Sequence, residues 1–159
     1  MGAMNNGFAS VLIIEPHPLM RDSLKAVISA EPDLQVVQPA GGNAETYFTL
    51  FLGEEGVLLL EHKPDIIVLG IRNPGREDLQ TLARLHAEWP STPILALTSH
   101  ELPGQEQEAL RSGARAVLTK AVTREKLLEV LRELLRTAIN LDATRILPNE
   151  RSRSVIKSF

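Results

Sequence analysis

Short apolar runs alternate along this chain with longer stretches in which apolar residues recur every three or four positions. The runs fall at residues 11–14, 34–37, 66–69, 94–97 and 116–118. A half-exposed strand alternates apolar with polar, so runs this unbroken predict strands covered on both faces. Between them, Leu19, Leu24, Val27 and Ile28 predict one face of a first helix, and Leu79, Leu82 and Leu85 mark a later one. Leu127, Leu128, Val130, Leu131, Leu134 and Leu135 mark the last. Thr123, ahead of Glu125 and Lys126, suits an N-cap for that last helix. Pro103 suits the first turn of the helix before it, and Gly113 its end.

Strand and helix signals in strict alternation predict an α/β fold, a doubly wound parallel five-stranded sheet with helices on both faces. Open sheets of this kind place their working site past the carboxyl ends of the strands, at a topological switch point. That architecture singles out Glu15, Pro16, Gly70, Thr98 and Lys120.

Two regions depart from the rhythm. Residues 39–62 open on the turn Gly41-Gly42-Asn43, continue through the apolar stretch 47–52 and break at Gly53 to Gly56. Tyr47, Phe48 and Phe51 make this an aromatic-rich insertion. An extended second helix packed on the sheet is expected, with an exposed apolar patch for a partner as the alternative. After Thr137 the periodicity fades, and residues 138–159 read as a linker or flexible tail with a weak positive bias from Arg145, Arg151, Arg153 and Lys157. Residues 1–9 read as a disordered start, with Met1-Gly2-Ala3-Met4 as a tag remnant. The expected domain is therefore 10–137.

Composition narrows the function. A formal net charge of −3 supplies no general case for nucleic-acid binding. The absence of cysteine excludes disulfides, thiolate metal sites and cysteine nucleophiles. No apolar run is long enough to span a bilayer and none resembles a signal peptide, so the expected location is the cytoplasm. Neither common glycine-rich phosphate cradle occurs, and no cofactor is expected.

Four segments together carry a family resemblance. They are Ile13-Ile14-Glu15-Pro16-His17-Pro18-Leu19-Met20-Arg21, Lys63-Pro64-Asp65-Ile66-Ile67-Val68-Leu69-Gly70-Ile71-Arg72-Asn73-Pro74-Gly75, Ile94-Leu95-Ala96-Leu97-Thr98-Ser99-His100 and Ser112-Gly113-Ala114-Arg115-Ala116-Val117-Leu118-Thr119-Lys120. In order and spacing they resemble receiver domains of bacterial response regulators, most closely those joined to a helix-turn-helix DNA-binding domain. The resemblance implies a flavodoxin-like (βα)5 sheet of order 2-1-3-4-5. It also implies two adjacent acids ending the first strand and an aspartate ending the third. Those three groups hold magnesium, and the aspartate takes a phosphoryl group from a histidine kinase. Here the acid pair reads Glu15-Pro16, and Gly70 stands at the acceptor position. The expectation is an atypical, phosphorylation-independent pseudo-receiver with no metal.

The resemblance puts Thr98 and Lys120 where the phosphoryl group would be gripped, and Val117 where a mobile aromatic ring would sit. Without the acceptor, Lys120 loses its acidic neighbour. Glu15 is expected to reach across and pair with it, and a half-exposed pair of that kind contributes about 0.5 kcal/mol. Output is expected through the fourth and fifth helices and fifth strand, toward a protein partner or a second copy. Leu110, Arg111, Arg115, Lys126, Glu129 and Glu133 are the candidates on that face, although charge patterns of this kind also describe an ordinary solvated helix. One alternative is a receiver cut from a longer transcription factor that touches DNA only through a domain outside this chain. Another is a small flavodoxin-like enzyme using Glu15, His17 and Lys120. Against the enzyme, Pro16 and Pro18 stiffen the loop, and no second histidine or acid has matching spacing.

Overall fold

The unbroken apolar runs become strands because a central parallel strand has no solvent face. The computed structural model describes residues 7–37, 63–72, 76–99 and 104–144. Five parallel strands form one sheet in the order β2-β1-β3-β4-β5: β1 (Ala9–Ile14), β2 (Leu34–Val37), β3 (Ile66–Ile71), β4 (Ile94–Thr98) and β5 (Ala116–Thr119). Every residue of β3 and β4 is buried, whereas the edge strands β2 and β5 are buried at one position each. Four helices are described: α1 (Pro18–Ser29), α2 (Arg76–Glu88), α3 (Gln105–Ser112) and α4 (Arg124–Thr144). The expected second helix and aromatic patch of 39–62 lie outside the described residues, so α3 and α4 are the fourth and fifth helices expected from the sequence.

Side-chain alternation along the strands divides the core in two. Val11 and Ile13 of β1 join Ile66 and Val68 of β3 beneath Leu24 and Ile28 of α1 and Leu127, Val130, Leu131 and Leu134 of α4. On the opposite face, Leu12, Ile14, Ile67 and Leu69 pack with Leu82 and Leu85 of α2 and Ala109 of α3. Two buried layers on one sheet make the doubly wound arrangement. Each large side chain fully withdrawn from water contributes about 1.5–3 kcal/mol.

Three element ends follow their local chemistry. Thr123 Oγ1 accepts the Lys126 backbone N–H at 3.1 Å, capping α4 as expected. Gly113 terminates α3 at φ +125°, a conformation in which a side chain is strained. Gly104, at φ +83°, precedes α3, and Pro103 lies outside the described residues.

Two expectations are corrected. Leu19 does not belong to the buried stripe of α1, since it is 82% exposed. The stripe runs instead through Met20, Leu24, Val27 and Ile28, because residues four apart share a helix face. At the other end, α4 continues to Thr144, beyond Thr137, where the apolar spacing fades.

Candidate functional site

Parallel strands deliver their carboxyl ends to one edge of the sheet, and the residues that follow them form the site. β1 and β3 are hydrogen-bonded neighbours, with Ile14 level with Leu69. The next residue along the chain is Glu15 after Ile14 and Gly70 after Leu69. Beyond them, Gly70 is level with Leu97 of β4, and Thr98 is level with Thr119 of β5. The backbone N–H of Lys120 donates to the Thr98 carbonyl at 2.8 Å, which carries the ladder one residue past β5.

Glu15 turns inward over Gly70 and is only 1% exposed. Its Oε2 accepts the His17 backbone N–H at 2.8 Å and lies 2.9 Å from His17 Nδ1. Lys120 donates from Nζ to the same oxygen at 3.2 Å and lies 3.0 Å from Oε1, so the ammonium spans the carboxylate. Placed on Gly70, a Cβ would stand 1.9 Å from Glu15 Oε1 and 2.7 Å from its carboxyl carbon. The carboxylate therefore occupies the volume of a side chain at residue 70, and only glycine leaves that volume open.

The expected partnership of Glu15 with Lys120 is present, but its surroundings differ from the expectation. The Glu15 side chain is fully buried and that of Lys120 is 14% exposed, so the value for a half-exposed pair does not apply. Removing one partner would strand a buried charge, which costs about 3 kcal/mol. His17, by contrast, keeps 57% of its side chain exposed at the rim. Pro16 is half-buried.

A second ion pair, not expected from the sequence pattern, borders this pocket. Asp78, 1% exposed in the first turn of α2, accepts the Arg72 backbone N–H at 2.6 Å. It also accepts Arg72 Nε at 3.1 Å and Nη2 at 2.8 Å. Hydrogen bonding to Asp78 pushes the Arg72 guanidinium further above its ordinary range, against desolvation, and the charges of Asp78, Glu77 and Glu15 act in the same direction. A signal was available, because Asp78 shares the helical face of Leu82 and Leu85, where an unpaired acid would be costly. Arg21 adds a tie between α1 and β1, donating from Nη1 to the Glu15 carbonyl at 3.0 Å.

The donor set does not fit a divalent cation. Magnesium requires several oxygen ligands in near-octahedral array. Glu15 offers one carboxylate, already held by an ammonium, while Pro16 and Gly70 contribute no side-chain donor. Among the described residues no cluster of three His, Asp or Glu side chains is placed to hold a metal ion.

The remaining candidates lie elsewhere. Val117 in β5 is half-buried against the α2–α3 core layer. Arg111 is exposed on α3, and Leu110 and Arg115 are half-buried beside it. On α4, Lys126 pairs with Glu129 at 3.3 Å and Arg136 pairs with Glu133. No helix among the described residues is long and apolar enough to cross a membrane.

Comparison with known proteins agrees with this architecture. The sequence family described as "Response regulator receiver domain" matches residues 11–132. The nitrate/nitrite response regulator protein NarL of Escherichia coli K12 is 32% identical over 126 residues, which are 79% of this chain and 54% of that protein. The positive alginate biosynthesis regulatory protein of Pseudomonas aeruginosa is 32% identical over 128 residues, 80% of this chain and 47% of that one. The chain thus spans about half the length of these curated relatives. Among solved structures, a two-component response regulator of the LuxR family from Aurantimonas sp. SI85-9A1 superposes with a TM-score of 0.63 at 22% identity, covering 81% of this chain and 86% of that one. A CheY-like receiver domain protein from Methanospirillum hungatei also gives 0.63, at 19% identity, covering 84% of this chain and 98% of that one.

Proposed function

This chain belongs to the response regulator receiver domain family, and we propose that it works there without aspartyl phosphorylation, as a regulatory module that acts by contact with other proteins. Its relatives are response regulators, and the enzyme alternative built on Glu15, His17 and Lys120 has no support in that company. One observation carries the reading. The position that the family resemblance assigns to the phosphoryl acceptor is Gly70, and the carboxylate of Glu15 fills the space above it. No nucleophilic oxygen projects from that position. The one carboxylate in its place is held by an ammonium and two further donors, which lowers its nucleophilicity.

The pocket is thus a plugged one rather than a vacated one, which disfavours a small ligand there as the input. Lys120, the lysine of the phosphoryl-gripping position, has a resident anion instead. Val117 provides no ring to relocate, so output through a swinging aromatic is not part of this reading. The surface formed by α3, β5 and α4, with Leu110, Arg111, Arg115, Lys126, Glu129 and Glu133, is the proposed contact face for a protein partner or a second copy. Because the relatives extend to about twice the length of the matched region, control of transcription through an attached DNA-binding domain is part of the same proposal.

The test exposes the protein to acetyl phosphate and magnesium and measures intact mass. The expected result is no mass gain under conditions that phosphorylate a receiver possessing the aspartate. A gain of one phosphoryl group would overturn the proposal. For the contact face, Arg115→Glu is expected to weaken partner binding or self-association by light scattering, and unchanged association would remove that face from the reading.

A further inference from the structure

His17 is the one exposed member of the Glu15 cluster, and we infer that its protonation releases Lys120 from Glu15, making the cluster a proton-operated clasp between the ends of β1 and β5. The inference rests on the proposal that Glu15 is the pocket's permanent occupant, and adds what moves it.

Three groups share one carboxylate. With Nδ1 at 2.9 Å from Glu15 Oε2, a neutral His17 ring carries its proton on Nδ1 and donates it to that oxygen. Lys120 Nζ lies 3.3 Å from the same ring nitrogen. Among the described residues, the charged and titratable groups around Glu15 are His17 and Arg21 from α1 and its cap, Lys120 from the turn after β5, and Arg72, clamped by Asp78, from the end of β3. All but Asp78 are basic. A second proton on the imidazole therefore places a new cation beside an ammonium, with only one negative charge between them.

Connectivity decides which cation leaves. His17 is two residues from Glu15 and holds Oε2 through both its backbone N–H, at 2.8 Å, and its ring. Lys120 is 105 residues away in sequence and reaches Oε2 at 3.2 Å, on a flexible four-carbon stem. Protonated His17 keeps the carboxylate, and Lys120 swings outward. The proton is taken up at the half-exposed rim, so solvent access to the switch needs no unfolding. Histidine is the side chain suited to this between about pH 5 and 8. Above the transition the clasp ties β1 to β5 across the face of Gly70. Below it, the turn that leads from β5 into α4 is free of that tie.

The experiment follows the His17 ring, the Lys120 backbone amide and the Lys120 Nζ by nuclear magnetic resonance of the isotope-labelled full chain across that pH range. The expected result is a Lys120 transition with the midpoint of the His17 ring, lost in His17→Gln and retained in His86→Gln, whose ring packs against Gly113. Lys120 signals that stay flat while His17 titrates, or that shift equally in His17→Gln, overturn the inference. Coupling is reciprocal, so in Lys120→Gln the His17 ring is expected to take its proton at a higher pH, and an unmoved midpoint counts equally against the clasp. Acetyl phosphate treatment of the same sample separates the two readings. A phosphoryl mass gain refutes the resident anion itself, whereas an inert Lys120 without mass gain refutes only the proton switch.

Discussion

Ion pairs at opposite ends of the sheet hold the molecule together in different ways. At the carboxyl ends, Glu15 and Lys120 meet in the interior. At the amino ends, Arg132 of α4 grips Glu31 at 2.6 Å and Asp33 at 2.8 Å in the turn between α1 and β2, with Arg132 40% and Asp33 41% exposed. Arg124 also approaches Glu31, at 3.5 Å. Both clusters link segments about a hundred residues apart. Water separates their consequences. A half-exposed pair lost to mutation is re-solvated, whereas a buried group deprived of its partner is left without compensation. Surface ion pairs can therefore be numerous and cheap, and one buried pair can dictate which residue its neighbour is allowed to be.

That contrast can be broken most forcefully at Gly70. Substituting Gly70→Asp forces a side chain into the volume held by Glu15 and sets two carboxylates side by side, so a loss of about 3 kcal/mol or more is expected in urea unfolding. Adding Glu15→Ala to it should restore most of that loss, because the new carboxylate inherits Lys120. Additive effects of the two substitutions, with no coupling beyond about 0.5 kcal/mol, would show that the residues do not compete for one space. Glu15→Ala alone comes next, at about 3 kcal/mol, since it leaves the Lys120 ammonium without a partner in a largely buried site. Asp78→Asn should cost about 2 kcal/mol, because it removes the charge that binds a partly exposed guanidinium in two places. Thermal melting checks both, and a loss no larger than that of a surface substitution would remove either carboxylate from the buried framework of the site.

Arg132→Ala at the opposite end should have the smallest effect, and one that fades with salt and acid. Hydrogen bonds from Arg132 are the main cause holding the carboxyls of Glu31 and Asp33 below their ordinary values of 4.5 and 3.8. Depressed carboxyl values contribute stability that is fully present above the unfolded-state values and is lost as pH falls through the folded ones. The difference between wild type and Arg132→Ala should therefore be constant near neutrality and shrink below about pH 4.5. A difference that grew on acidification would reverse the assignment.

Much of this architecture is legible in the one-dimensional pattern. Five buried runs separated by helical spacing lead to a doubly wound parallel sheet, because parallel strands covered on both faces leave few other arrangements. The switch-point rule then singles out Glu15, Pro16, Gly70, Thr98 and Lys120 by their places at the strand ends. Leu19 shows where pattern falls short. It is as apolar as Met20, and only the phase of the helix against the sheet decides that Met20 packs while Leu19 faces water.

Local periodicity and residue chemistry reach as far as the elements, their alternation and the set of side chains that gather at one edge of the sheet. Those properties depend on neighbours within a few positions, where hydrophobic spacing and backbone preference act. Folding in three dimensions decides that the pair of Glu15 and Lys120 is buried rather than half-exposed and that Asp78 is paired rather than stranded. Each of those outcomes depends on distances between distant segments and on how much water remains between them, and neither quantity is encoded in adjacency along the chain.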